Sequence, residues 1–196
     1  MNLKSAVSQP IRTLEWLLIV SGCALLLWCG LITVQARVYQ AQESSTLDRG
    51  RRENRAGAPR KVKTSEHQLI GRLEIPRVGM SVVIVDGDDE RTLRKAAGHL
   101  PDTPLPWEFG NSAVAGHRDS FFAPLKHVQV SDRVRLRTPN GDFQYVVSSI
   151  KIIDPTDISV LKTKGHSSLT LITCYPFYYV GNAPKRYIVQ ADHIPS

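Results

Sequence analysis

One run of nineteen residues, 16–34, reads WLLIVSGCALLLWCGLITV and contains neither a charge nor a proline. At about 1.5 Å of rise per residue such a helix covers roughly 28 Å, close to the ~30 Å hydrocarbon thickness of a bilayer. A cleaved signal peptide carries an apolar stretch of only about 7 to 15 residues, closed by a small-x-small cleavage site. Here the run is longer and passes into Thr33, Val34, Gln35, Ala36 and Arg37, a poor cleavage site. Residues 16–34 are therefore expected to be an uncleaved transmembrane signal anchor, with Trp16 and Tyr39 near its ends as interfacial aromatics. The basic residues that orient such a span disagree. Lys4 and Arg12 precede it, whereas Arg37, Arg49, Arg51 and Arg52 follow it, and the count leans towards a cytoplasmic C-terminal side.

The rest of a 196-residue chain has room for one core, so a multidomain enzyme is excluded. The net charge of +7 divides as +1 over residues 1–34, +5 over residues 35–65 and +1 over residues 66–196. The basic character thus sits in a juxtamembrane stretch, LDRGRRENRAGAPRKVK, and the nearly neutral folded part has no nucleic-acid footprint. Two uses of that stretch stay open: contact with anionic lipid or cell-wall polymer, or a solvated flexible linker lacking aromatic and β-branched core formers. The expected organisation is residues 1–15 as a cytoplasmic N-terminus, 16–34 as the anchor, 35–67 as a basic flexible linker and 68–196 as the folded domain.

From about residue 68 the chain reads as short strands. Residues 70–75 and 81–85 are β-rich runs joined by the turn-forming set Pro76, Arg77, Val78 and Gly79. Asp88 or Asp89 is placed to cap a helix over residues 90–97 that stops at Gly98. A proline-rich loop, residues 101–110, leads to a strand over 112–116, and a helical turn is expected within RDSFFAPLKHV. Strands over 134–138 and 143–153 flank Pro139, Asn140, Gly141 and Asp142, a strong hairpin signal. A helical connection over 154–161 and strands over 169–174 and 187–191 complete the series. Seven or eight short strands with little helix imply a single all-β barrel or sandwich.

Of three cysteines, Cys23 and Cys29 lie in the apolar run, which leaves Cys174 alone in the folded part. No intrachain disulfide can staple that domain, and no cysteine or histidine pair has zinc-ligand spacing. Asp86, Asp88, Asp89 and Glu90 lack the ligand ladder of a calcium loop and have a helix-capping use. Cys174 ends the strand LTLITC and precedes a loop of aromatics, glycine and proline, a setting that puts a thiol at a barrel mouth on a rigid base. A buried core cysteine is the competing reading. An ordinary thiol is mostly protonated at neutral pH, so thiol catalysis calls for a proton-transfer partner. Among six histidines only His117, in SAVAGHRDS, has a strand-end, small-residue setting. Asp119 could orient it, but pairing with Arg118 on the surface is the expected use. Arg186 opens the strand after the cysteine loop, where a donor-rich cation could hold a substrate backbone or an oxyanion. Lys185 beside it fits solvated surface, and strand alternation allows only one of the two to face the site.

The segments TLITC around Cys174, AGHRD around His117 and APKRYIV around Arg186 resemble, in order and spacing, the three signature motifs of sortases, membrane-anchored cysteine transpeptidases of bacterial surfaces. The wording TCYPFYYVGNAPKRYIV is most similar to class D, with class E the second choice. The resemblance covers residues 70–196 and implies an eight-stranded sortase-type β-barrel with short helices, preceded by one N-terminal transmembrane helix. It also implies a single-pass protein of the bacterial cell membrane with an extracytoplasmic catalytic domain, against the lean of the flanking charges.

Carried onto these positions, the family scheme makes Cys174 the nucleophile, His117 the general acid and then base, and Arg186 the substrate and oxyanion ligand. Thr173 is a further candidate for a contact near the oxyanion. The implied substrates are surface proteins with a C-terminal sorting motif of the Leu-Pro-x-Thr-Gly type, cut after threonine through a thioester. An amine from a cell-wall precursor or a pilin lysine then takes the acyl group. The implied partners are those proteins, that amine and membrane lipid, with no metal or organic cofactor and no nucleic acid. The loop 101–110 and the segment after Asp154 are the expected carriers of motif specificity. Another surface cysteine hydrolase or an L,D-transpeptidase would lack TLITC with a downstream arginine strand. A non-catalytic membrane-anchored β module would not need Cys174.

Overall fold

The structure, a computed structural model, describes residues 14–31, 34, 35, 38 and 68–195. Residues 1–13, 32, 33, 36, 37, 39–67 and 196 lie outside the described residues, and with them most of the expected N-terminus (1–15) and of the expected basic linker (35–67), Arg37 and Tyr39 included. The chain divides into two units, Met1–Tyr39 and Gln40–Ser196. In the first, helix α1 (Leu14–Leu31) is long and apolar enough to cross a membrane by length and composition.

The second unit is a closed barrel of eight strands in the order β1-β2-β3-β4-β7-β8-β6-β5. The strands are β1 (Leu69–Ile75), β2 (Met80–Asp86), β3 (Ala97–His99), β4 (Asn111–Ala115), β5 (Arg133–Thr138), β6 (Gly141–Ile153), β7 (Ser168–Tyr175) and β8 (Lys185–Ile194). Closure comes from β1 pairing with both β2 and β5, while β2–β3 and β4–β7 are the two parallel contacts. Alternation follows the core. In β5, Val134, Leu136 and Thr138 are buried and Arg133, Arg135 and Arg137 are exposed, the period-two pattern of a half-buried strand. Leu73, Val114, Leu136, Tyr145, Leu169 and Leu171 fill the lumen, as an eight-stranded barrel is only wide enough for its own side chains. Burial of the Tyr145 phenol pushes its pKa well up.

Two local expectations change. The helix expected over 90–97 shrinks to α2 (Glu90–Leu93), with Asp89 as its N-cap: the carboxylate accepts from the Arg91 and Thr92 amides at 2.9 and 3.1 Å. Residues 97–99 instead pair with β2 as strand β3, Ala97 opposite Ile84 and His99 opposite Asp86. The helical propensity of RTLRKAAG yields to the pairing that closes the sheet. Gly98, read as a helix stop, is required because a Cβ there would lie 2.3 Å from the Gly87 carbonyl oxygen. In the β5–β6 hairpin Thr138 pairs with Gly141, so Pro139 and Asn140 form the turn. Neither has positive φ, which excludes the type I′ turn that Asn-Gly suggests; Gly141 alone takes φ 141°. The expected helical connection after Asp154 contains one 3-10 turn, Ser159–Leu161.

Candidate active site

In β7, Leu169 and Leu171 point into the core, so Thr170, Ile172 and Cys174 take the outer face. In β8, Val189 and Ala191 point inward and Arg186, Ile188 and Gln190 outward. Antiparallel register sets Cys174 directly opposite Arg186 and Ile172 opposite Ile188. Parallel register sets Ala115 of β4 beside Ile172. A floor of small and branched apolar residues thus ends in the thiol and the guanidinium. It lies on the outside of the barrel, not at the mouth of the lumen, because the lumen is packed.

Above this floor runs a groove of about 430 Å³, lined by Ala115, His117, Ile172, Thr173, Cys174, Arg186 and Ile188, with residues 153–161 as one wall and Leu93 and Leu100 on the other. A second hollow of about 350 Å³ lies against Arg118, Asp119, Gly181, Asn182 and Ala183. His117, Cys174 and Arg186 line both, so the three residues singled out by the sequence sit together where the hollows meet.

The backbone explains how His117 reaches the thiol. β4 ends at Ala115, and Gly116 donates its amide to the Ile172 carbonyl at 3.1 Å. The Phe122 ring packs on Gly116, where a Cβ would lie 2.7 Å from the ring, and the Phe122 amide donates to the His117 carbonyl at 3.1 Å. Thr173, 2% exposed, donates its hydroxyl to the Gly116 carbonyl at 2.7 Å. The residue before Cys174 is therefore bonded to the residue before His117. Arg186 donates from Nη1 to the Ala183 and Lys185 carbonyls at 3.3 and 3.2 Å. Lys185, expected as free surface, donates instead to Asp154 at 2.7 Å and ties β8 to the groove wall. Arg118 does not pair with Asp119. It donates to the Tyr179 and Gly181 carbonyls at 2.6 and 3.0 Å and lies over the Tyr179 ring, holding the β7–β8 loop.

The groove wall is anchored by residues the sequence reading missed. Asn111 and Gln190 both donate to the Val160 carbonyl, at 2.8 and 3.2 Å. Asn111 in turn accepts from Thr170 and Ser168, and Gln190 from Lys164 and Ser149. Both amides are buried, and each has its oxygen and its nitrogen hydrogen-bonded, as buried polar groups require. The only signal was an amide within each apolar strand. On the far wall the Arg94 guanidinium hydrogen-bonds Glu90 and lowers its pKa, with His117 close enough to act in the same direction.

Comparison with known proteins accords with this geometry. The sequence profile of the Sortase domain family matches residues 73–194. Sortase D of Bacillus subtilis (strain 168) is 39% identical over 133 residues, covering 67% of each chain. Sortase A of Bacillus anthracis is 28% identical over 129 residues, covering 64% of this chain and 60% of that one. Among solved structures, sortase C1 of Streptococcus suis superposes with a TM-score of 0.61 at 30% identity, over 66% of this chain and 75% of that one. The Clostridium perfringens Sortase D5 transpeptidase shares the fold with a TM-score of 0.66 at 24% identity, over 83% and 99%. A sortase-family profile that spans eight strands and includes His117, Cys174 and Arg186 leaves one assignment: this chain belongs to the sortase family.

Proposed function

We propose that the protein is a cysteine transpeptidase, held at the bacterial membrane by α1 with its barrel outside the cytoplasm. It acts on surface proteins bearing a C-terminal Leu-Pro-x-Thr-Gly-like motif. The observation that carries this reading is the direct register of Cys174 and Arg186 across β7 and β8, with His117 lining the same two hollows. Cys174 Sγ attacks the threonine carbonyl carbon as its proton passes to the His117 imidazole. The Arg186 guanidinium stabilises the oxyanion. Collapse forms the thioester and breaks the Thr–Gly C–N bond, with His117 protonating the departing amine. An incoming amine from a cell-wall precursor or a pilin lysine then attacks the thioester and gives its proton to His117. A new amide forms and the thiol returns. The thioester conserves acyl-transfer potential, so a peptide bond is exchanged for an amide without a nucleotide.

The apolar groove beside β4 and β7 suits the acyl half of the motif. The polar hollow at Asp119 and Asn182 suits the leaving and incoming amines. The test is intact-mass spectrometry of the full chain in detergent, mixed with sorting-motif peptides. The expected result is a mass gain equal to the acyl portion, discharged by added amine and absent in Cys174→Ala. Peptide turnover that survives Cys174→Ala would overturn the reading. So would absence of any adduct while a thiol reagent still labels Cys174.

A further inference from the structure

The groove does not end at its wall. Asp88, Leu100 and Leu161 also line a further cleft of about 390 Å³, which continues between residues 100–104 and residues 161–163. The order along the surface is therefore the amine-side hollow, Cys174, the apolar groove and then this cleft. Two features make the cleft preformed. His99 is buried with one ring nitrogen 3.1 Å from the Asp86 carboxylate and the other 3.1 Å from the Pro104 carbonyl oxygen, which fixes the wall at residues 100–104. Thr103 Oγ1 donates to the Leu100 carbonyl at 2.8 Å and accepts the Ala113 amide at 3.1 Å, fastening the same wall to β4. Gly110 packs closely against one residue of each wall, where a Cβ would lie 2.7 Å from Pro104 and 3.2 Å from Thr163 Oγ1.

Building on the acyl half lying in the apolar groove, we infer that this cleft binds the polypeptide immediately N-terminal to the sorting motif. A strand-like substrate whose scissile carbonyl is at Cys174 runs along β4 and β7 away from the thiol. Its next residues toward the N-terminus leave the groove between Leu100 and Leu161 and enter the cleft. Asp88 and Asp102 line it against the single Lys162. The cleft therefore favours an upstream lysine or arginine over a glutamate. The site extends recognition beyond the motif, on the acyl side, to sequence that differs between target proteins.

Steady-state turnover by the full chain in detergent tests this with three peptides: the motif alone, the motif with an N-terminal lysine-containing extension, and the motif with a C-terminal extension. The N-terminal extension is expected to lower KM about two- to fivefold, the scale of one exposed ion pair with added backbone contact, with kcat little changed. A glutamate in place of that lysine should lose the gain, and Asp102→Asn should reduce the lysine–glutamate difference. Equal KM for bare and N-terminally extended peptides overturns the inference while the transpeptidase reading stands. So does a gain confined to the C-terminal extension. No turnover of any peptide overturns both.

Discussion

Thr173 is the residue whose role the geometry sharpens most. Its hydroxyl hydrogen is directed at the Gly116 carbonyl in a buried setting, so a strut between the β7 and β4 ends competes with a contact at the oxyanion. Thr173→Val separates the two. As a strut, the lost hydrogen bond and orphaned carbonyl cost about 1–3 kcal/mol, so melting temperature should fall by several degrees while kcat falls only a fewfold. A loss of about 10²-fold in kcat at unchanged melting temperature would assign the hydroxyl to the oxyanion. Arg186→Ala, by contrast, removes a donor facing Cys174 and should lower kcat/KM about 10²- to 10³-fold with the fold intact by circular dichroism. Away from the site, Asp132 accepts a two-pronged hydrogen bond from Arg77, as well as the Gln129 amide at 2.8 Å. The bond from Arg77 holds its carboxyl below the usual range, against the opposing effect of burial. A lowered folded-state pKa gives stability that is complete above the unfolded value of about 4 and drains away as pH falls through the folded one. Asp132→Asn should therefore flatten the acid limb of a melting-temperature profile below about pH 4. An acid limb unchanged by the substitution would remove Asp132 from that account.

At the scale of elements, the segment between β6 and β7 decides how well the groove is formed. It has one short turn of its own, and its shape is imposed by Asn111 and Gln190 converging on the Val160 carbonyl. Asn111→Ala leaves that carbonyl with one amide and leaves Thr170 and Ser168 without their acceptor. The expected result is a severalfold rise in KM and weaker motif discrimination, with the rate of Cys174 alkylation unchanged because Cys174 sits on β7 beyond the clamp. A fall in kcat at constant KM would place the effect at the reacting groups instead. Periodicity exposed the strands because each spans the barrel wall with one face in the core. The three-motif spacing likewise exposed Cys174, His117 and Arg186 as residues on adjoining strand ends. The clamp was not legible, since an asparagine in a strand carries no local sign of a partner 49 residues away. Nor was β3, whose three residues Ala97, Gly98 and His99 carry no β-branched or alternating signal and are extended by pairing with β2 and β4. The outer-face location of the site followed only once Leu169 and Leu171 were seen to fill the lumen.

For the whole molecule, the question is what the apolar helix adds to a barrel whose core cluster lies entirely within residues 70–191. That cluster includes Phe122, Leu125 and Val128 from the segment between β4 and β5 as well as the strands, so removing residues 1–67 should leave folding and chemistry intact. The truncated chain is expected to turn over a soluble motif peptide with kcat/KM within about twofold of the full chain. An anchor acts by confinement: enzyme and substrate held on one surface meet at an effective concentration far above that in bulk, reaching the millimolar range for short tethers. With a motif peptide tethered to vesicles, the full chain reconstituted in the same vesicles should outpace the truncated barrel by about 10²-fold or more at matched total concentration. Detergent, by dispersing both partners, should erase the difference. If the truncated barrel were instead slow on the soluble peptide as well, the N-terminal segment would have to contribute to the folded enzyme itself. Equal rates on vesicles would show that confinement by the helix does not govern encounter with substrate.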